Sequence, residues 1–240
     1  MAGLCWMVVV LVFSLSAGHT EAMDLNEVQR IVEYLLNKYS KDSKNNDNKL
    51  QFSLAVNIPE NQDLTKLQEL FNADDADTVK KAIKRKVYTS NNMVAAMPLK
   101  KKDDHAEARV LDNIQSLAVG SAGKSLVFYS YLSPCVRMCA NPNNDKNILS
   151  KINGRISTGQ WGETIFVFST VSQTYKDQNN KEQTCSEEEI RDALKELGKT
   201  SLNYNIFRCD YPINRQFQCI NCFHGKEPVE GCVKKEFINV

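Results

Sequence analysis

The chain has 240 residues, enough for one ordinary domain with appendages. Its composition, 42% hydrophobic and 25% charged, is that of a globular protein, and a formal net charge of +1 excludes a global electrostatic bias toward nucleic acid or membrane. Any basic surface must be local.

The first element is an unbroken apolar run from Leu4 to Phe13, followed by small residues suited to cleavage near Gly18 or Ala22. No Lys or Arg precedes the run, which is far shorter than the roughly 20 residues a membrane span needs. Residues 1–22 therefore read as a signal peptide, and 23–240 as a single secreted domain with no membrane anchor after cleavage. Next, "LNEVQRIVEYLLNKY" carries Val28, Ile31, Val32, Leu35 and Leu36 at helical spacing. "LQFSLAVNIP" predicts a first strand, residues 63 to 86 a charge-rich helical segment, and "NMVAAMPL" a second strand.

"DDHAEARVLDNIQSLAV" places Ala106, Val110, Ile114, Leu117 and Ala118 at helical spacing. "GSAGKS" follows; it lacks the spacing of a phosphate loop and reads as a turn into the next strand. "SLVFYSYLS" predicts a buried third strand that runs straight into Pro134 and Cys135, where proline favours a helix start. "ETIFVFSTV" predicts a fourth strand, "SEEEIRDALKELGK" a helix with a Ser cap, and "YNIFRCDY" a fifth strand. Strands alternating with helices indicate an α/β layered domain.

Secretion lets thiols pair. Cys5 leaves with the leader, so seven cysteines remain, of which Cys135 and Cys139 stand apart from the rest. Cys185, Cys209, Cys219, Cys222 and Cys232 are disulfide candidates; being five, they form at most two bridges among themselves. Cys185 and Cys209 bracket the last long helix and are a candidate pair. The Cys-rich tail, from about 205 to 240, also contains "CINCFHGKEPVEGC", which reads as either a second zinc site or disulfide staples, the latter preferred in a secreted chain.

The remaining two thiols have a different partner in view. Zinc favours nitrogen and sulfur donors in tetrahedral array, and a catalytic site takes three protein ligands with one position left open. His105, Cys135 and Cys139 meet that count, and cysteines four apart on a helix would share a face. Glu107, two residues beyond His105, is placed to stand beside a metal without binding it, as a general acid/base requires.

"HAE", then "SLVFYSYLSPCVRMCA", "ETIFVFSTV", a helix and "YNIFRCDY" together resemble the core of the cytidine deaminase superfamily, and most closely its secreted AID/APOBEC-like branch. The resemblance covers roughly residues 50 to 211. It implies a deaminase-like three-layer sandwich with a five-stranded mixed sheet and helices on both faces. By resemblance, one Zn2+ per chain is held by His105, Cys135 and Cys139, Glu107 moves protons, and Ser133, Pro134, Tyr131 and Ala106 contact substrate. The implied reaction is hydrolysis of the C4 amine of cytosine, in single-stranded DNA or RNA or in a cytidine nucleoside, with host defence as its setting. Three departures are visible: the cysteines are spaced C-x3-C, Leu132 stands where many relatives carry tryptophan, and the helical segment from Asp63 to Lys86 lies between the first two strands, where relatives usually have a short hairpin. The alternative is a non-catalytic secreted binding protein that keeps the fold. Two basic clusters, Lys80 to Lys86 and Lys100 to Lys102, flank the approach to His105, and Tyr129 and Tyr131 are candidates for stacking on a base.

Overall fold

The computed structural model describes residues 23–42, 45–60, 63–99, 104–177, 179, 181–211 and 216–237. The expected leader, residues 1–22, and the cluster Lys100 to Lys102 lie outside the described residues. The first helix, α1, spans Leu25–Tyr39 and begins at a full capping box: the Asp24 carboxylate accepts from the Glu27 amide, and the Glu27 carboxylate accepts from the Asp24 amide. Two of the donors that a helix start leaves unpaired are thereby satisfied. Its apolar stripe of Val28, Ile31, Val32, Leu35 and Leu36 is buried, as the periodicity predicts.

That stripe packs on one face of a seven-stranded sheet. In chain order the strands are β1 (Ser53–Pro59), β2 (Tyr88–Thr89), β3 (Met93–Ala96), β4 (Lys124–Leu132), β5 (Glu163–Thr170), β6 (Ile206–Asp210) and β7 (Gln218–Asn221). Their spatial order is β7-β6-β5-β4-β1-β3-β2. β4, β5 and β6 run parallel, and the pairs on either side of them are antiparallel. All five expected strands are present, joined by β2 and β7 at the two edges. Neither edge strand was legible: β2 has two residues, and β7 lies in a stretch without apolar alternation.

Helix α2 (Ala76–Ile83) shares α1's side of the sheet, while α3 (Ala106–Asp112) and α4 (Glu187–Gly198) cover the other, giving three layers in the manner of a deaminase. The expected helical segment over residues 63 to 86 consists of a short turn, Leu67–Leu70 and α2. Asp63 and Asp75 each cap a new start with their carboxylates, which interrupts any longer helix. The "GSAGKS" stretch is a turn into β4 as expected, with Gly123 at φ +67, a conformation that favours a residue without Cβ.

The cysteine-rich tail is stapled twice. Cys209 and Cys219 are direct partners across the β6–β7 ladder and form one disulfide; Cys222 and Cys232 form the other. This corrects the expected Cys185–Cys209 pair: Cys185, at the start of α4, is a buried free thiol, because strand register delivers Cys219, not Cys185, to Cys209. With Cys219, Cys222 and Cys232 all bridged, the zinc reading of the tail also falls, and His224 is exposed. Peptide mapping of the oxidised protein should recover these two links. Replacing Cys222 and Cys232 together by Ser should cost about 2–3 kcal/mol in denaturant unfolding, the loop-closure value for ten residues. A different pairing, or an unchanged midpoint, would contradict the assignment.

Candidate metal centre and cavity

His105 is the residue immediately before α3, in extended conformation (φ −72°, ψ 151°), and its ring makes no capping bond to the helix. The imidazole is turned instead toward two sulfurs. Nδ1 lies 3.0 Å from Cys139 Sγ and 3.7 Å from Cys135 Sγ. One nitrogen and two sulfurs converge with all ligand atoms within 4.8 Å of one another, and among the described residues no other such group of His, Cys, Asp and Glu is found. The donor chemistry, a borderline base with two soft ones, fits zinc.

The cysteines reach this point by a route that differs from the expectation. The segment after β4 is not a helix but a series of turns, closed by the Ala140 amide on the Cys135 carbonyl at 3.0 Å. Pro142 explains why a helix does not form: its ring would strike the carbonyl of Met138 four residues back, and it disfavours helical geometry at Asn141. The five-residue turn still brings the two thiols together, with the Cys139 amide donating to Cys135 Sγ at 3.3 Å. Between them Arg137 projects outward. It bonds Glu189, whose other oxygen completes the capping box of α4, and lies 4.6 Å over the Tyr175 ring, so the turn is tied to α4 and to the hairpin of Thr174–Lys176 and Glu182–Thr184.

The two thiols interact unequally. The hydrogen bond from Cys139 holds Cys135 down toward its thiolate, and the same bond pushes Cys139 up. A cation at this point would hold both as thiolates.

Glu107, in the first turn of α3, is only 6% exposed. Burial raises its carboxyl above the usual range. Oε1 accepts from Ser130 Oγ at 2.9 Å, and Ser130 in turn accepts from Ser53 Oγ at 2.9 Å, so a hydroxyl chain from β1 through β4 orients the carboxylate. Glu107 is not part of the converging ligand set.

A cavity of about 200 Å³ opens here, with Glu107, His105 and Cys135 at its polar end and Pro98, Leu99 and Leu132 among its apolar walls. Of the expected substrate-contacting residues, Ala106 and Ser133 line it. Ser133 Oγ accepts from the Ser172 amide at 2.9 Å, which fixes the wall. Pro134 is buried but does not line the cavity. Tyr131 is a correction: it packs on the α1 side of the sheet with Tyr129, whose hydroxyl bonds Ser169. Alternation along β4 is the reason, since Phe128, Ser130 and Leu132 point to the α3 side and the intervening tyrosines away from it. Neither tyrosine can stack on a base in this cavity.

The residues that sequence reasoning missed are Ser130, Gln51, Pro98, Leu99, Asp104 and Ser172. Ser130 had a signal, namely its place two before Leu132 on one face of a strand. The other five lie outside the helices and the sheet, where no period operates.

A family model described as Secreted Novel AID/APOBEC-like Deaminase 1 matches residues 26–236. No curated protein and no solved structure matches the chain.

Proposed function

The chain belongs to the secreted AID/APOBEC-like deaminase family, and from that membership we propose that it hydrolyses the C4 amine of cytosine, in single-stranded nucleic acid or a cytidine nucleoside, outside the cell. The observation that carries the reading is the convergence of His105, Cys135 and the buried Cys139 beside the cavity that His105, Cys135 and Glu107 line. Secretion is supported by the family's description and by the two disulfides; among the described residues no helix is long and apolar enough to cross a membrane.

Zn2+ is the metal that these three donors suit, and when bound it supplies Lewis acidity at the end of the cavity. The chain's own residues do the rest. Pro98, Leu99, Ala106 and Leu132 offer apolar surface to a planar base, and a volume of about 200 Å³ has room for one. Ser130 holds Glu107 through Oε1, which leaves Oε2 to carry the proton. In the hydrolysis Glu107 takes a proton from the attacking water, passes it to N3 of the ring and helps the departing C4 amine leave as ammonia, so that cytosine becomes uracil.

Purified secreted protein should contain about one zinc per chain and should release ammonia from at least one of three probes: single-stranded DNA, single-stranded RNA, or cytidine. Zinc without turnover on any of them would favour a binding protein that retains the fold. Absence of zinc, or a mass map joining Cys135 to Cys139, would end the catalytic reading.

A further inference from the structure

The sequence leaves two bonds open for leader removal, one after Gly18 and one after Ala22. The folded domain distinguishes them. Its first helix is capped by Asp24, one residue after Met23. Met23 itself is anchored at long range: its backbone nitrogen donates to Glu163 Oε2 at 2.8 Å, across 140 residues of sequence, at the start of β5. Its side chain packs against the core beneath α1. The second oxygen of Glu163 accepts from Asn205 Nδ2 at 2.8 Å. Both Glu163 contacts are therefore from uncharged donors, and among the described residues no Lys or Arg forms an ion pair with it.

We propose that the chain is cut between Ala22 and Met23, and that the new α-ammonium of Met23 forms an ion pair with Glu163 that locks α1 onto the sheet. A leader peptidase of the secretory pathway supplies the chemistry: water adds across the Ala22–Met23 amide, Ala22 departs as the carboxylate of the leader, and the Met23 nitrogen takes up protons as an ammonium. The flanking residues suit that cut, since Ala22 and Thr20 are the small residues at the first and third positions before it. Cleavage turns an amide-to-carboxylate hydrogen bond into an ammonium–carboxylate pair, in which both partners carry charge. The uncut precursor lacks the charge, and a cut after Gly18 would leave His19, Thr20, Glu21 and Ala22 between the ammonium and Glu163. Only one of the two bonds delivers the new charge to a waiting carboxylate. Leader removal thereby supplies the charge that fastens α1, which shares one face of the sheet with α2.

Two measurements test this. N-terminal sequencing of the protein secreted from the full-length chain should read Met-Asp-Leu-Asn; a start at His19 or elsewhere overturns the proposal. Thermal unfolding should then be compared for four secreted forms: wild type, Glu163→Gln, a Gly-Ser insertion between Ala22 and Met23, and the two changes combined, each with its start verified by sequencing. Glu163→Gln should lower Tm by about 2–4 °C more in the chain beginning at Met23 than in the Gly-Ser-extended chain. Equal shifts in both backgrounds would show that no ion pair forms. Should Glu163→Gln fail to fold, the insertion alone decides: a Tm about 2–4 °C below wild type supports the ion pair, and an unchanged Tm overturns it.

Discussion

Glu107→Ala should abolish turnover while leaving the zinc content unchanged. The carboxylate stands outside the set of converging ligand atoms, so its loss leaves one imidazole and two thiols in place. General acid/base groups contribute about 10²–10⁴ in rate, and Glu107 would serve in more than one proton transfer, so the fall should reach the upper end of that range or pass below detection. His105→Ala makes the contrast. It should lose the metal as well as the activity, and with the metal some stability, because zinc binding is coupled to folding. Zinc analysis, ammonia release and thermal unfolding of both variants separate the roles. Equal loss of zinc would make Glu107 a ligand or a structural support; wild-type turnover in Glu107→Ala would end the deaminase mechanism.

Arg208→Met should be the most destabilising substitution away from the site. Arg208 lies on β6 and is 1% exposed. Its guanidinium donates from Nε to the Ser169 carbonyl at 3.0 Å, from Nη1 to Gly231 and Lys234 at 2.7 Å, and from Nη2 to Lys235 at 2.8 Å, and it lies 5.3 Å over the Phe237 ring. Burial brings its pKa down to about 10, so it remains charged at neutral pH. Five backbone carbonyls, that of Glu236 at 3.4 Å from Nη1 among them, depend on one fork of donors, and that fork ties the chain after Gly231 to the end of β5. Methionine fills the volume but leaves those acceptors without a partner. Each buried acceptor so stranded costs about 1–3 kcal/mol, partly relieved where the tail moves out to water, so a loss of about 3–5 kcal/mol is expected. Arg208→Lys should recover only part of it, because an ammonium cannot reproduce the planar fork. Denaturant unfolding measures both, and a loss below about 1 kcal/mol for methionine would show that the tail is held by its disulfide alone.

Both predictions rest on residues with different visibility in the sequence. His105, Glu107, Cys135 and Cys139 were legible together, because His-x-Glu followed by a strand and Ser-Pro-Cys is a pattern of residue types at element boundaries. Arg208 was not legible as anything but a strand residue. Its partners are carbonyls of Ser169, Gly231, Lys234, Lys235 and Glu236, and a backbone carbonyl leaves no mark on residue identity.

By itself the sequence determined those features whose causes act within a few residues. The stripe of α1 follows from spacing between Val28 and Leu36, α4 from its Ser186 capping box, and the five core strands from short apolar runs bounded by turn formers. Tertiary structure alone decided what depends on register between distant segments. It paired Cys209 with Cys219 and left Cys185 free; it turned Tyr131 away from the cavity and Ser130 toward Glu107; it brought Glu163 to Met23. The physical reason is common to the first two. Side chains alternate along a strand with period two, so which face and which partner a residue meets is set by how strands align, and alignment is a property of the sheet and not of any one segment.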